Sequence, residues 1–153
     1  MKTVRAIVTA ALIAPMLLGA ATPALAGDLL FHADDGEAIL ANFDGRPYWE
    51  LQAYCAGFHG ATANYWDKKG ESDKARASEA AGVSALNDAV KQLMRDRGVT
   101  AAAAEKTAAP VVTIGGRTTA ESLRADGMVS SGRWNYWRSF CIDARAAYRA
   151  AAR

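Results

Sequence analysis

Cysteine and histidine are scarce in this sequence, two of each among 153 residues, and several chemistries are excluded by that scarcity. No C-x-x-C occurs, so a thioredoxin-like dithiol is absent, and no C-x-x-C-H occurs, which excludes covalent c-type haem attachment. The Cys and His residues also lack the short ligand spacings of a zinc finger. Neither G-x-S-x-G, H-E-x-x-H nor a phosphate-cradling P-loop is present, and Gly115-Gly116 is too short to serve as one. Acidic residues are plentiful, but no pair can be given acid and base roles without a cleft to hold them. The sequence therefore reads as a non-enzyme, with an unrecognised hydrolase as the third of three readings.

An excess of charge is missing as well, once the N-terminus is understood. Residues 1–26 have a basic start (Lys2, Arg5), an apolar run from Ala6 to about Ala20, and Ala24-Leu25-Ala26 ahead of Gly27. That order is expected of a cleaved secretory signal, and an apolar run of about 15 residues broken by Pro15 is too short to span a bilayer. The whole chain has 18 Lys+Arg against 16 Asp+Glu, and loss of Lys2 and Arg5 leaves 16 of each. Nucleic-acid binding thereby loses its compositional support. What remains is a charge dipole. Asp28, Asp34, Asp35, Glu37, Asp44 and Glu50 face only Arg46 over residues 27–50, whereas residues 117–153 hold seven arginines against three acids. Proximity of the two ends in the fold would match them. Richness in alanine and arginine behind an A-x-A signal points to a bacterial protein, periplasmic or secreted, with no transmembrane segment after signal removal.

The remaining chain is long enough for one core, and its organisation is all-α. Residues 27–46 form an N-terminal segment with a possible short helix over Ala38–Phe43, and residues 47–153 a bundle of about four helices. Pro47 opens the first long helix, which runs to about Lys68 with Gly70 beyond it. At helical spacing Tyr48, Leu51, Cys55, Phe58, Thr62, Tyr65 and Trp66 share a face, with Gly57 and Gly60 on the far side. Those glycines imply either close approach of another backbone or a weakened, exposed helix back. Val83, Leu86, Val90 and Leu93 mark a second helix over about 72–97. Thr100 caps a third, which Pro110 and Gly115-Gly116 are expected to kink or split, and an extended segment at Val111–Ile114 is the alternative. A fourth helix starts near Ser130–Ser131 with Trp134, Trp137, Cys141, Ala144 and Tyr148 on one face and Arg138, Arg145 and Arg149 on a neighbouring stripe.

Cys55 and Cys141 each sit at the centre of an aromatic face, so a bridge between the first and last long helices is expected, in keeping with an oxidising compartment. The bridge would dissolve a nominal two-Cys, two-His metal set completed by His32 and His59, and no cofactor is assigned. His59 reads as a half-buried, hydrogen-bonded histidine, while a haem pairing of His59 with Met94 or Met128 is a remote alternative. Trp66, Trp134 and Trp137 are assigned to the core around the bridge. Trp49, off the main face, is the candidate for a surface contact, and the stripe Arg138/Arg145/Arg149 for an anionic partner.

The combination of signal, about four helices and one bridge is similar in architecture to small exported helical proteins of bacteria, including immunity proteins that bind secreted toxins. That similarity carries over no residues. The leading expectation is an exported, non-catalytic helical protein that binds a protein or cell-envelope component. Its alternative is a small-ligand, metal or haem carrier using the region around His59, for which a cavity of several hundred Å³ beside that residue would be the sign.

Overall fold

The computed structural model describes residues 28–31, 43–126 and 132–151. The expected signal segment, the possible helix over 38–42, His32 and Met128 lie outside the described residues. Four helices follow in order: α1 Tyr48–Lys68, α2 Ser72–Arg97, α3 Ala101–Asp126 and α4 Gly132–Ala151. Among the described residues there is no strand, only one isolated bridge between Leu30 and Pro47. No helix among them is long and apolar enough to cross a membrane.

The helix ends follow local chemistry. Pro47 is extended (φ −60°, ψ 140°) and precedes α1, whose first amide, at Tyr48, donates to the Leu29 carbonyl at 2.9 Å. Gly70 and Gly98, with φ of 73° and 63°, take the left-handed turns after α1 and α2 that a side chain would disfavour. Thr100 Oγ1 accepts from the Ala103 amide at 3.3 Å and caps α3 as its sequence position implied.

α3 is one continuous helix through Pro110, which rules out a helix pair and an extended segment at Val111–Ile114. Its two mid-helix glycines each cost about 1 kcal/mol of propensity, and tertiary packing explains their presence. A Cβ on Gly115 would lie 2.3 Å from the Tyr54 carbonyl oxygen, and one on Gly57 would lie 2.0 Å from that of Val112. Backbone meets backbone where α1 crosses α3, and only glycine permits it. The two readings of the α1 glycines are thus divided between them: Gly57 is a close-approach site, whereas a Cβ on Gly60 would meet nothing within 4 Å.

α1 is the axis of the molecule. Every residue from Leu51 to Phe58 is buried, and α2, α3 and α4 each pack against it. One core cluster gathers Tyr48, Leu51, Tyr54, Cys55 and Phe58 with Phe140 and Cys141 of α4. The Cys55–Cys141 disulfide lies at its centre, with the two Cα atoms 5.6 Å apart. Phe31 and Phe43 enter the same cluster from the N-terminal segment, Phe31 edge-on to Tyr48 at 5.6 Å and Phe43 stacked on Phe140 at 5.7 Å. That segment is held by paired backbone bonds, Phe31 N–H to Arg46 O and Gly45 N–H to Phe31 O, both 2.8 Å.

The second cluster, between α1, α2 and α3, is alanine-rich: Ala53, Ala89, Ala104 and Ala108 around Leu93, Val90 and Trp49. Here the sequence reading of Trp49 is corrected. The indole is 5% exposed, with the Arg97 guanidinium 5.2 Å from its ring centroid. A helix packed on three sides leaves no free back, so a residue off the principal face is still interior. The charge dipole is likewise anchored differently from the expected end-to-end match. Asp28 forms a two-pronged pair with Arg97 at 3.0 and 2.7 Å, and Arg145 pairs with Asp88 at 2.7 Å, so both ends bind α2.

The glycine geometry makes a discriminating prediction. Gly57→Ala or Gly115→Ala should lower stability by more than about 2 kcal/mol through backbone overpacking, whereas Gly60→Ala should raise it by up to about 1 kcal/mol. Urea denaturation of the three variants checks this, and equal effects at all three positions would contradict the assigned contact.

Candidate functional site

On the side of α1 opposite the glycine contact with α3, the helices leave space. A cavity of ≈ 510 Å³ lies between α1, α2 and α4. α1 contributes Gln52, His59, Thr62 and Trp66, α2 contributes Lys74, Ser78, Ala81 and Ala85, and α4 contributes Trp134, Arg138, Cys141 and Arg145. The wall therefore includes one half of the disulfide. Its size falls within the range of small-molecule pockets.

Several lining groups are already committed. The Thr62 hydroxyl donates to the Phe58 carbonyl at 2.9 Å and accepts from Trp134 Nε1 at 3.1 Å, which fixes the indole as a wall. Arg145 is held by Asp88 and by the Ser84 hydroxyl. Lys74 lies 3.4 Å from Glu71 and 4.5 Å from the centroid of Trp66, a cation–π contact at the open end. Arg138, exposed on α4, has no ion pair among the described residues.

Gln52 differs from all of these. Its residue is 1% exposed and borders the cavity, yet its amide nitrogen and oxygen, both shielded from the cavity, have no hydrogen-bond partner among the described residues. An unpaired buried amide costs about 1–3 kcal/mol. Gln92 of α2 is equally buried and unpartnered but does not line this cavity. Gln52 is the residue that sequence reasoning passed over. The available signal was a lone amide inside the otherwise apolar run from Leu51 to Phe58.

His59 lies on the cavity wall, its ring edge-on to Phe58 at 5.1 Å. Burial, assisted by the positive charge of Arg138, lowers its pKa to about 4, so the imidazole is neutral at pH 7. Among the described residues no carboxylate lines the cavity, and the charged lining is cationic: Lys74, Arg138 and Arg145. Among the described residues no hydrogen bond joins His59 to a hydroxyl or a carboxylate, so no nucleophile–base pair is assembled there.

The other candidate residues do not converge with this site. Trp49 is interior to the α1–α2–α3 cluster, and Arg149 is exposed near the end of α4. Both thiols are consumed by the bridge, and no group of three or more His, Cys, Asp or Glu side chains gathers among the described residues. Met94 does not line the cavity that His59 faces. A larger groove of ≈ 640 Å³ between α1 and α3 is apolar at its base, with Lys68, Lys69 and Arg124 at its edge. Among the described residues it contains no buried unpartnered side chain. Comparison with protein-family models, with curated proteins and with solved structures returns no match for this chain.

The His59 environment has a pH signature. With a folded pKa near 4 against an ordinary value of 6.5, the unfolded chain takes up the proton first on acidification. The stability contributed by neutral His59 is therefore complete above about pH 6.5 and is lost as pH falls toward about 4. Between pH 7 and pH 5 the wild type should lose about 1–2 kcal/mol more than His59→Gln. Urea melts at the two pH values measure the difference, and parallel losses would place the imidazole in water.

Proposed function

We propose that this chain is a small-molecule-binding protein whose ligand occupies the cavity between α1, α2 and α4. It works outside the cytoplasm, in the periplasm or as a secreted protein, after residues 1–26 are removed. The disulfide suits such an oxidising address, and the sequence order of residues 1–26 supports the export step.

The observation that carries the reading is the cavity of ≈ 510 Å³ beside His59, walled by Trp66, Trp134 and the α4 half of the disulfide. A ligand that fills it would take the aromatic and alanine walls out of water. The partner-protein reading rested on Trp49 and the arginine stripe. With Trp49 buried and Arg145 tied to Asp88, less supports it than supports the cavity. A hydrolase would need a base and a nucleophile brought together, and the groups around His59 do not supply the pair.

A trade-off between stability and binding tests the proposal. Ala81→Phe places a ring in the cavity, so the ligand-free protein should gain up to about 1 kcal/mol in urea denaturation. The variant should also lose the small molecule that co-purifies with the wild type from its native cells, as seen by native mass spectrometry. A variant that still carries the molecule would contradict the reading.

A further inference from the structure

Beyond their backbone contact at Gly57 and Gly115, α1 and α3 diverge toward their C-terminal ends, and the cleft between them is the groove of ≈ 640 Å³. Its narrow end is closed at Gly116, where a Cβ would lie 3.5 Å from the Gly57 carbonyl oxygen. Gly60, Ala61, Val112 and Ala120 follow along the floor, all half-buried and so within reach of an occupant. Lys68, Lys69 and Arg124, all exposed, stand at the wide end. The Lys69 ammonium lies 5.7 Å from the centroid of the Tyr65 ring, which also lines the groove, and this cation–π contact holds it at the mouth. Asp67 borders a separate recess between α1 and α2.

Shape and charge together define the occupant. From Gly57 to Lys68 α1 rises about 16 Å. A partner helix about 10 Å across cannot lie along a groove that tapers to backbone contact, whereas one unbranched hydrocarbon chain can. A second copy of this protein would bring the same three cations against each other across a two-fold interface. Among the described residues the mouth is positive, because three cations outweigh two helix C-termini worth about half a negative charge each. An apolar slot that is closed at one end and cationic at the other is complementary to a chain with one anionic head.

We propose that the α1–α3 groove is a second binding site, for a free single-chain anionic amphiphile of the fatty-acid type. The methyl end lies against the Gly57–Gly116 contact, the alkyl chain runs over Gly60, Ala61 and Ala120, and the carboxylate sits among Lys68, Lys69 and Arg124. The absence of large side chains along the floor is what leaves space for the chain. Each methylene it covers tightens binding by about two- to fourfold, until the chain outgrows the groove. The site is separate from the α1–α2–α4 cavity and does not depend on a ligand there.

Calorimetry and amide NMR on the full-length mature protein test the proposal. The probes are octanoate, decanoate, dodecanoate, decanol and decyltrimethylammonium, each below its micelle-forming concentration. Decanoate should bind one to one, shift the amides of Gly60, Gly116 and Ala120, and bind about tenfold tighter than decanol or the ammonium. Affinity should rise from octanoate to dodecanoate by about two- to fourfold per methylene. Lys68→Gln/Lys69→Gln/Arg124→Gln, three exposed substitutions, should weaken decanoate by about tenfold and leave decanol unchanged. Ala120→Phe should block both, and where that variant does not fold the triple variant alone decides. Ala81→Phe, in the other cavity, should leave decanoate binding unchanged, so this site and the small-molecule reading stand or fall separately. Equal or tighter binding of the ammonium, shifts at Ala81 and His59 instead of the groove, or no binding by any probe would overturn the proposal. Binding to phosphatidylglycerol vesicles without binding of the free acids would make the groove a membrane contact and overturn it as well.

Discussion

The Cys55–Cys141 bridge is the constraint on which the arrangement of this protein depends. It spans 86 residues of sequence and on the chain-entropy account stabilises the fold by about 4–5 kcal/mol, comparable to the whole stability of many domains. Its position matters as much as its magnitude. α1, α2 and α3 follow one another through short turns and bury an alanine-rich cluster together, whereas α4 reaches α1 from the far end of the sequence. The bridge sets the α4 register, and the aromatic pairs follow from it: Trp134 over Phe58 at 6.0 Å, Trp137 against Tyr54 at 5.0 Å and Tyr148 against Tyr48 at 5.7 Å. Phe31 and Phe43 then close the cluster from the N-terminal segment.

The two sides of α1 are built to opposite ends. Toward α3, Gly57 and Gly115 bring backbones into contact and leave no room for a methyl group. Toward α2 and α4, larger residues hold the helices apart, and the space between them is lined by a neutral imidazole and, among the described residues, by cationic charge alone. Tight packing on one side supports an open site on the other, because a cavity in a small domain forfeits packing energy that must be made up elsewhere.

Most of the architecture was legible in the sequence because its signals are local or periodic. The helical spacing of apolar residues placed α1, α2 and α4, the glycines after α1 and α2 placed their ends, and the centring of each cysteine on an aromatic stripe implied the bridge. α3 was legible as helix on either side of Pro110 but not as one unbroken element, since Pro110 and Gly115-Gly116 signal a break on their own and their true context is the backbone of a second helix. Trp49 misled for a related reason: a helical wheel assumes one buried face, and α1 is enclosed. Of the candidate site, His59 was visible as a residue on the flank of the core. The depth of Gln52, the contribution of α2 and the assignment of each arginine to a partner depend on how three helices meet. No periodicity within one helix encodes that meeting.

The central claim is that the bridge holds α4 in place and thereby shapes the cavity, while α1–α3 form a unit that does not require it. Hydrogen–deuterium exchange on a Cys55→Ala/Cys141→Ala double variant measures this directly. The account predicts that amides of α4 and of the Phe31 and Phe43 segments lose protection while those of α1 at Gly57 and of α3 at Gly115 retain it. Uniform loss of protection across all four helices, or undiminished protection of α4, would contradict it.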